Sequence, residues 1–235
     1  MSHPQRPRVD SSGNADIYDR RHGALITEDV VQHLAAAAAL RPGVDVLDIG
    51  AGTGRVAVAI AQLGCDVVAL DPALAMAKAL RAKAANTPVH IIASEGGQLP
   101  FAASRFDAVV LARVLYLMAD WRAVLREACR VLKPGGHFLH EWGNGDAGEE
   151  WVQIREKART LFEQAGVQAP FHPGARSEVE VDESVVSLGL IHRADLPIGG
   201  GPTLTWPTSC VVFSTVSFRT SGTFRKMSRT SAFPG

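Results

Sequence analysis

The strongest constraint on this chain is a rhythm. Five short apolar segments, 44–49, 66–70, 89–93, 106–112 and 137–142, alternate with helix-favouring stretches at 55–63, 73–84 and 121–132. The apolar segments are β-branched or aromatic enough to be buried strands. Parallel neighbours cannot be joined by tight turns, so strands spaced this way need helical crossovers. The rhythm predicts an α/β chain with a Rossmann-like, doubly wound, mainly parallel sheet and helices on both faces.

The flanks differ in character. Residues 1–15 have the Pro, Arg and Ser content of a disordered leader, and a helix is expected over 27–40. Thr27 suits its N-cap, Glu28 and Asp29 oppose the helix dipole in the first turn, and Arg41-Pro42-Gly43 is the stop. Beyond Trp142 the rhythm breaks. Residues 143–176 read as an inserted helical cap, with a polar helix at 149–164 and a loop at 169–174. A helix at 179–188 and a strand at 190–196 then resume the alternation. A chain of 235 residues accommodates this as one large domain, expected over 16–204.

Composition narrows the partners. With 24 basic and 24 acidic side chains the chain has no polyanion-binding bias, so nucleic acid is not an expected partner. Cys65, Cys129 and Cys210 lack metal or redox spacing and the eight histidines are dispersed, so no metal is expected and a reducing, cytoplasmic setting is. No apolar run approaches the roughly 18 residues of a membrane span.

The chemistry is concentrated where Val46-Leu47-Asp48-Ile49 runs into Gly50-Ala51-Gly52-Thr53-Gly54 and then into a helix. Glycine allows the backbone to turn sharply and approach a ligand, and the next helix brings amides to the same place. Alone, three alternate glycines are weak evidence, since a structural turn has the same composition. Two acids add specificity. Asp48 lies two residues before the first glycine, and Asp71 ends the next strand 17 positions after Gly54, where it can accept ribose hydroxyls. A nicotinamide-dependent oxidoreductase is the rival reading, because such enzymes also place an acid about 20 residues beyond a glycine loop. The Asp48 carboxylate argues otherwise: it suits a ligand with an ammonium group and repels a pyrophosphate.

These residues, together with Leu70-Asp71-Pro72, Leu99-Pro100-Phe101, Phe106-Asp107-Ala108-Val109-Val110 and Arg130-Val131-Leu132-Lys133-Pro134-Gly135-Gly136, resemble the class I, small-molecule S-adenosylmethionine-dependent methyltransferases of the ubiquinone/menaquinone-biosynthesis type. The resemblance covers about Tyr18 to Trp142. It implies S-adenosylmethionine as cofactor and methyl transfer to a small-molecule acceptor. It further implies that Asp48, Gly50, Ala51, Gly52 and Gly54 hold the methionine portion, Asp71 and Pro72 the ribose, and Glu95-Gly96 the adenine edge, with Tyr18 as an aromatic lid. The family usually has Asp-Ala where this chain has Glu95-Gly96.

A sulfonium is an activated methyl donor, so alignment of the nucleophile is the main requirement, worth about 7–11 kcal/mol in favourable cases. A general base, where one is used, should project from the carboxyl ends of the fourth and fifth strands. Arg113, Tyr116, His140 and Glu141 are the candidates there, each with a plainer reading as a packed or solvated side chain. His140 and Glu141 are neighbours on one strand and should face opposite sides. His172 in the cap is a further candidate for reaching substrate. Leu132-Lys133-Pro134-Gly135-Gly136 reads as a turn into the fifth strand with no chemistry.

Residues 205–235 have a different composition, with no Asp, Glu or Leu, four basic residues, and twelve Ser or Thr among 31 positions. Reading the codons one base out of phase permits Leu-Ala-Asp-Glu-Leu-Arg over 205–210 and Trp-Asn-Val-Pro-Glu-Asp-Val-Ala within 221–234, strings with helix and cap character. The expectation is a frameshift between about 196 and 205 that leaves a non-native tail, removes the last strands and exposes a sheet edge. The alternative is an authentic basic, disordered tail. A third functional reading follows from the first: a protein that binds S-adenosylmethionine but is inactive because its C-terminus is disrupted.

Overall fold

The computed structural model describes residues 15–85, 87–142, 157, 160–162, 164–166, 172–198 and 211–218. Two helices lead, α1 (Ala15–His22) and α2 (Glu28–Ala38). The alternation follows as β1 (Asp45–Ile49), α3 (Ala57–Ala61), β2 (Asp66–Leu70), α4 (Leu74–Lys83), β3 (Val89–Ile92), β4 (Phe106–Ala112), α5 (Trp121–Val131) and β5 (Leu132–Glu141). It closes with α6 (Glu178–Ser187), β6 (Leu190–Ile198) and β7 (Val211–Phe218).

These strands form one sheet in the order β3-β2-β1-β4-β5-β7-β6. The first five are parallel, and β7 is antiparallel to both β5 and β6. Strand order reverses between β1 and β4, so the crevice at their carboxyl ends is the natural ligand position in a sheet of this kind. Alternation along each strand divides the core. Val46, Val110 and Leu139 pack with Leu34 of α2 and Ile60 of α3 on one face. Leu47, Val109 and Phe138 pack with Leu125 of α5 and with Val181 and Val185 of α6 on the other. Each such side chain contributes roughly 1.5–3 kcal/mol by leaving water.

Three local expectations change. Thr27 does occupy the N-cap of α2, but its hydroxyl makes no capping hydrogen bond, and the helix ends at a left-handed Ala39 rather than at Arg41-Pro42-Gly43. β5 begins at Leu132, not 137: Leu132 pairs with Phe106 across a register shift, and Gly136 lies so close to the Asp107 carbonyl that a Cβ would come within 2.8 Å of it. Within that stretch, Lys133 also has an electrostatic role, reaching Asp107 at 3.0 Å and Asp45 at 3.4 Å. These groups are partly exposed, so Lys133→Ala should cost less than about 1 kcal/mol in urea denaturation, and the difference should shrink in high salt.

The third change concerns the C-terminus. The loss of the last strands and an open edge at β5 were expected; instead β7, within 205–235, pairs with β5 from His137↔Ser217 to Glu141↔Phe213. Its sequence, Val-Val-Phe-Ser-Thr-Val-Ser-Phe, is rich in β-branched and aromatic residues, which explains a strand where the loss of acids and leucines had suggested none. The remaining tail residues, the leader 1–14 and most of the cap lie outside the described residues. Of the expected helix at 149–164, residues 157, 160–162 and 164 are described, and all are helical. No described helix is long and apolar enough to cross a membrane.

Candidate cofactor and acceptor site

The glycine loop is built by its own sequence. Gly50 has φ +74° and Gly54 φ +87°, left-handed values that side chains resist, and neither position has room for one. A Cβ at Gly50 would come within 2.4 Å of Val114 Cγ2, and one at Gly54 within 2.9 Å of Leu80 Cγ. The loop is tied to the end of β2: Gly50 N–H and Ala51 N–H both donate to the Leu70 carbonyl, at 2.7 and 3.0 Å. Gly52 N–H donates to Asp71 Oδ2 at 2.9 Å, while Asp71 Oδ1 accepts from Ala73 N–H at 2.8 Å. The amides of residues 50–52 thus hold the loop itself. Each Asp71 oxygen keeps a second lone pair for a ligand hydroxyl.

Asp48 is the anomaly of the site. It is 1% exposed, and neither carboxylate oxygen has a hydrogen-bond partner among the described residues. Burial, and next the Asp71 charge, push its carboxyl up to about 7, with partial relief from the Ala57 N–H, which faces it outside hydrogen-bonding geometry, and from Arg55. Burial raises Asp71 too, against the pull of the Ala73 and Gly52 amides.

Asp48 lines a cavity with Tyr18, His22, Arg55, Arg113 and the loop from Gly50 to Thr53. Tyr18, on α1, reaches over the loop, its ring 3.8 Å from where a Cβ on Gly52 would stand. α1 is fastened there by Lys83 of α4, which donates to Asp19 and to the Gly23 carbonyl, each at 2.5 Å. This anchoring lysine had no signal in the sequence beyond its place at a helix C-terminus.

The strand-end candidates divide. His140 and Glu141 do face opposite sides. His140 is fully buried on the α5/α6 face, its Nε2 3.1 Å from Asp182 Oδ1. Glu141, with a side chain 3% exposed, accepts from Arg55 Nη1 at 2.6 Å. Neither lines the cavity, and Glu141 is held by a cation that does. Tyr116 makes edge contacts with Trp142 and His172, at centroid distances of 5.8 and 5.1 Å. Burial raises its hydroxyl pKa, with Arg113 pulling the other way. Arg113 alone of these candidates lines the cavity. Glu95 and Pro72 are exposed, and Gly96 is buried so tightly that a Cβ would come within 2.8 Å of Ile49. Alanine, the family's usual residue there, would crowd that contact, so glycine at 96 has a packing reason. Among the described residues no His, Cys, Asp and Glu cluster could hold a metal ion.

The Arg55–Glu141 pair is the arrangement most open to mutation. Glu141→Gln leaves Arg55 without its counter-ion, and because Arg55 retains some access to water the expected cost is about 2 kcal/mol, below the usual range for a fully buried pair. Denaturant titration checks this, and adding Arg55→Ala to Glu141→Gln should cost less than the sum of the two single changes.

The sheet order and this crevice define a Rossmann-like α/β fold. Residues 47–140 match the family model described as "Methyltransferase domain". It is 43% identical over 97 residues to a demethylmenaquinone methyltransferase of Corynebacterium urealyticum, covering 41% of this chain and 40% of that protein. An uncharacterized methyltransferase of Mycobacterium bovis is 32% identical over 157 residues, 65% of this chain and 62% of that protein. The match thus spans less than two thirds of either relative. Among solved structures, a SAM-dependent methyltransferase from Aquifex aeolicus superposes with a TM-score of 0.62 at 17% identity, covering 87% of this chain and 97% of that one.

Proposed function

We propose that this protein transfers the methyl group of S-adenosylmethionine to a small-molecule acceptor. The observation that carries the reading is the unpartnered, buried Asp48 carboxylate beside the glycine loop. A buried carboxylate without a donor is costly, so the site is completed by a ligand that brings a cation or N–H groups to it. The α-ammonium of a methionine moiety does so. A nicotinamide dinucleotide would instead bring a pyrophosphate to a loop whose amides at 50–52 are already engaged, next to a second negative charge.

In this reading Asp48 receives the ammonium, Asp71 the ribose hydroxyls, Gly96 and Glu95 border the adenine, and Tyr18 closes over the methionine end. The bound cofactor supplies a methyl group on sulfonium, ready for in-line displacement. The chain's own residues orient it, exclude water and position the acceptor at the ends of β4 and β5. No side chain need act as a strong base: His140 is turned to the opposite face and Glu141 is paired with Arg55.

The test is transfer of label from methyl-tritiated S-adenosylmethionine to a mixture of small metabolites, with Asp48→Asn as the control. The reading expects a labelled low-molecular-weight product from the wild type and little from the variant. Binding of the donor with no labelled product from any acceptor pool would contradict it and favour a cofactor-binding protein without turnover.

A further inference from the structure

Of the two arginines that line the cavity, only one has an anionic partner among the described residues. Arg55 is paired with Glu141 at 2.6 Å. Arg113 is in no ion pair among the described residues, and its Nε is buried without a hydrogen-bond partner. Its position is also strained: φ is +56° at a residue with a long side chain, a conformation that few non-glycine residues adopt. Backbone holds it there, since Arg113 N–H donates to the Glu141 carbonyl at 2.8 Å and ties the ends of β4 and β5 together. The result projects a guanidinium from the carboxyl end of β4 into the crevice.

The surroundings on the acceptor side are aromatic. Tyr116 lies close enough to Arg113 for the cation to act on its hydroxyl. Trp142 and His172 meet the Tyr116 ring edge to face. The backbone fixes the last of these, because Gly174 N–H donates to the Tyr116 carbonyl at 2.9 Å and Ala175 N–H to the Leu115 carbonyl at 3.1 Å. A planar guanidinium whose buried Nε has no partner and whose neighbour is the Tyr116 hydroxyl recognises carboxylates in a two-point fashion, and aromatic walls accept a flat ring.

We propose that Arg113 is the anion-recognition residue of the acceptor site and that the acceptor is a planar aromatic molecule bearing a carboxylate. This rests on the methyl-transfer reading above. An uncharged acceptor would leave the Arg113 charge unanswered. The cofactor's methionine part also has a carboxylate, so the two sources of that chemistry have to be distinguished.

The experiment is calorimetry on the full chain in two stages, using wild type, Arg113→Asn and Arg113→Lys. Asn tolerates positive φ and so removes the cation with little backbone penalty, while Lys retains the charge without the fork. S-adenosylhomocysteine is titrated first. If the wild type does not bind it, the methyl-transfer reading fails before the acceptor is addressed. Next, protein saturated with S-adenosylhomocysteine is titrated with benzoate, salicylate, 4-hydroxybenzoate and indole-3-carboxylate, and with the corresponding neutral amides. At least one carboxylate should bind the wild type at least tenfold more tightly than its amide. Arg113→Asn should lose that preference and Arg113→Lys should keep part of it, with each variant losing more affinity for the carboxylate than for S-adenosylhomocysteine. The proposal is overturned if no carboxylate outcompetes its amide on the wild type, if Arg113→Asn leaves the preference intact, or if the variant's loss falls on S-adenosylhomocysteine instead, which would assign Arg113 to the cofactor's carboxylate.

Discussion

Asp48→Asn is expected to weaken S-adenosylhomocysteine binding by about 10- to 100-fold, the worth of one charge-assisted hydrogen-bonded contact, while making the ligand-free protein more stable at pH 8. The second half follows from the sign of the shift. The carboxyl titrates near 7 in the folded chain and near 3.8 when free, so the folded state holds the proton more tightly. Stability from this group is therefore present below the unfolded value, declines as pH rises between the two, and is lost above about 7. At pH 8 the wild type bears the full penalty, on the order of 2–4 kcal/mol, and the asparagine variant does not. In a chain of this size the melting temperature should rise by roughly 5 °C or more at pH 8, and the gain should shrink at pH 5, where wild-type Asp48 is protonated. Thermal melts of both proteins at the two pH values check it. A variant less stable than wild type at pH 8 would mean that Asp48 has a structural donor in the folded chain.

Gly50→Ala carries the largest expected cost in stability. Alanine at φ +74° loses roughly 1–2 kcal/mol, and a Cβ 2.4 Å from Val114 Cγ2 cannot be accepted without moving the β4–α5 loop. Together about 2–5 kcal/mol should be lost, with S-adenosylhomocysteine binding abolished because the loop and Ala112–Arg113 line the same cavity. Val114→Ala separates the two causes. It removes the 2.4 Å contact but leaves Val114 Cβ at 3.0 Å and the backbone strain in place, so the double variant should be more stable than the two single losses added together by about 1–2 kcal/mol. Urea titrations of the four proteins measure this, and strict additivity would show that the backbone angle alone makes Gly50 necessary.

Much of the architecture is legible in the sequence. The segments at 66–70 and 106–112 coincide with β2 and β4, and the helix-favouring stretch at 121–132 matches α5 to within a residue. The errors have physical causes. Lys133-Pro134-Gly135-Gly136 has turn composition, yet the sheet extends through it because parallel pairing with β4 resumes across a register shift. β7 was hidden by an unusual tail composition, although Val211 to Phe218 has ordinary strand chemistry. The site divides in the same way. Asp48, Gly50 and Asp71 lie within 24 positions of one another, and local spacing is enough to associate them. Arg55 and Glu141 are 86 positions apart, and His140 and Asp182 are 42 apart. Only the folded sheet shows that His140 is turned to Asp182 on the opposite face and that Glu141 is held by Arg55, a cavity-lining cation, which leaves Arg113 as the strand-end candidate that itself lines the cavity.

The most direct measurement is isothermal calorimetry of the wild-type chain with S-adenosylhomocysteine and with NAD, at pH 8 and pH 6 in buffers of different ionisation enthalpy. The Asp48 site predicts S-adenosylhomocysteine binding without NAD binding, weaker at pH 6 than at pH 8, with a proton released to buffer at pH 6 as the ammonium replaces it on the carboxylate. NAD binding, or S-adenosylhomocysteine binding indifferent to pH and buffer, would contradict it.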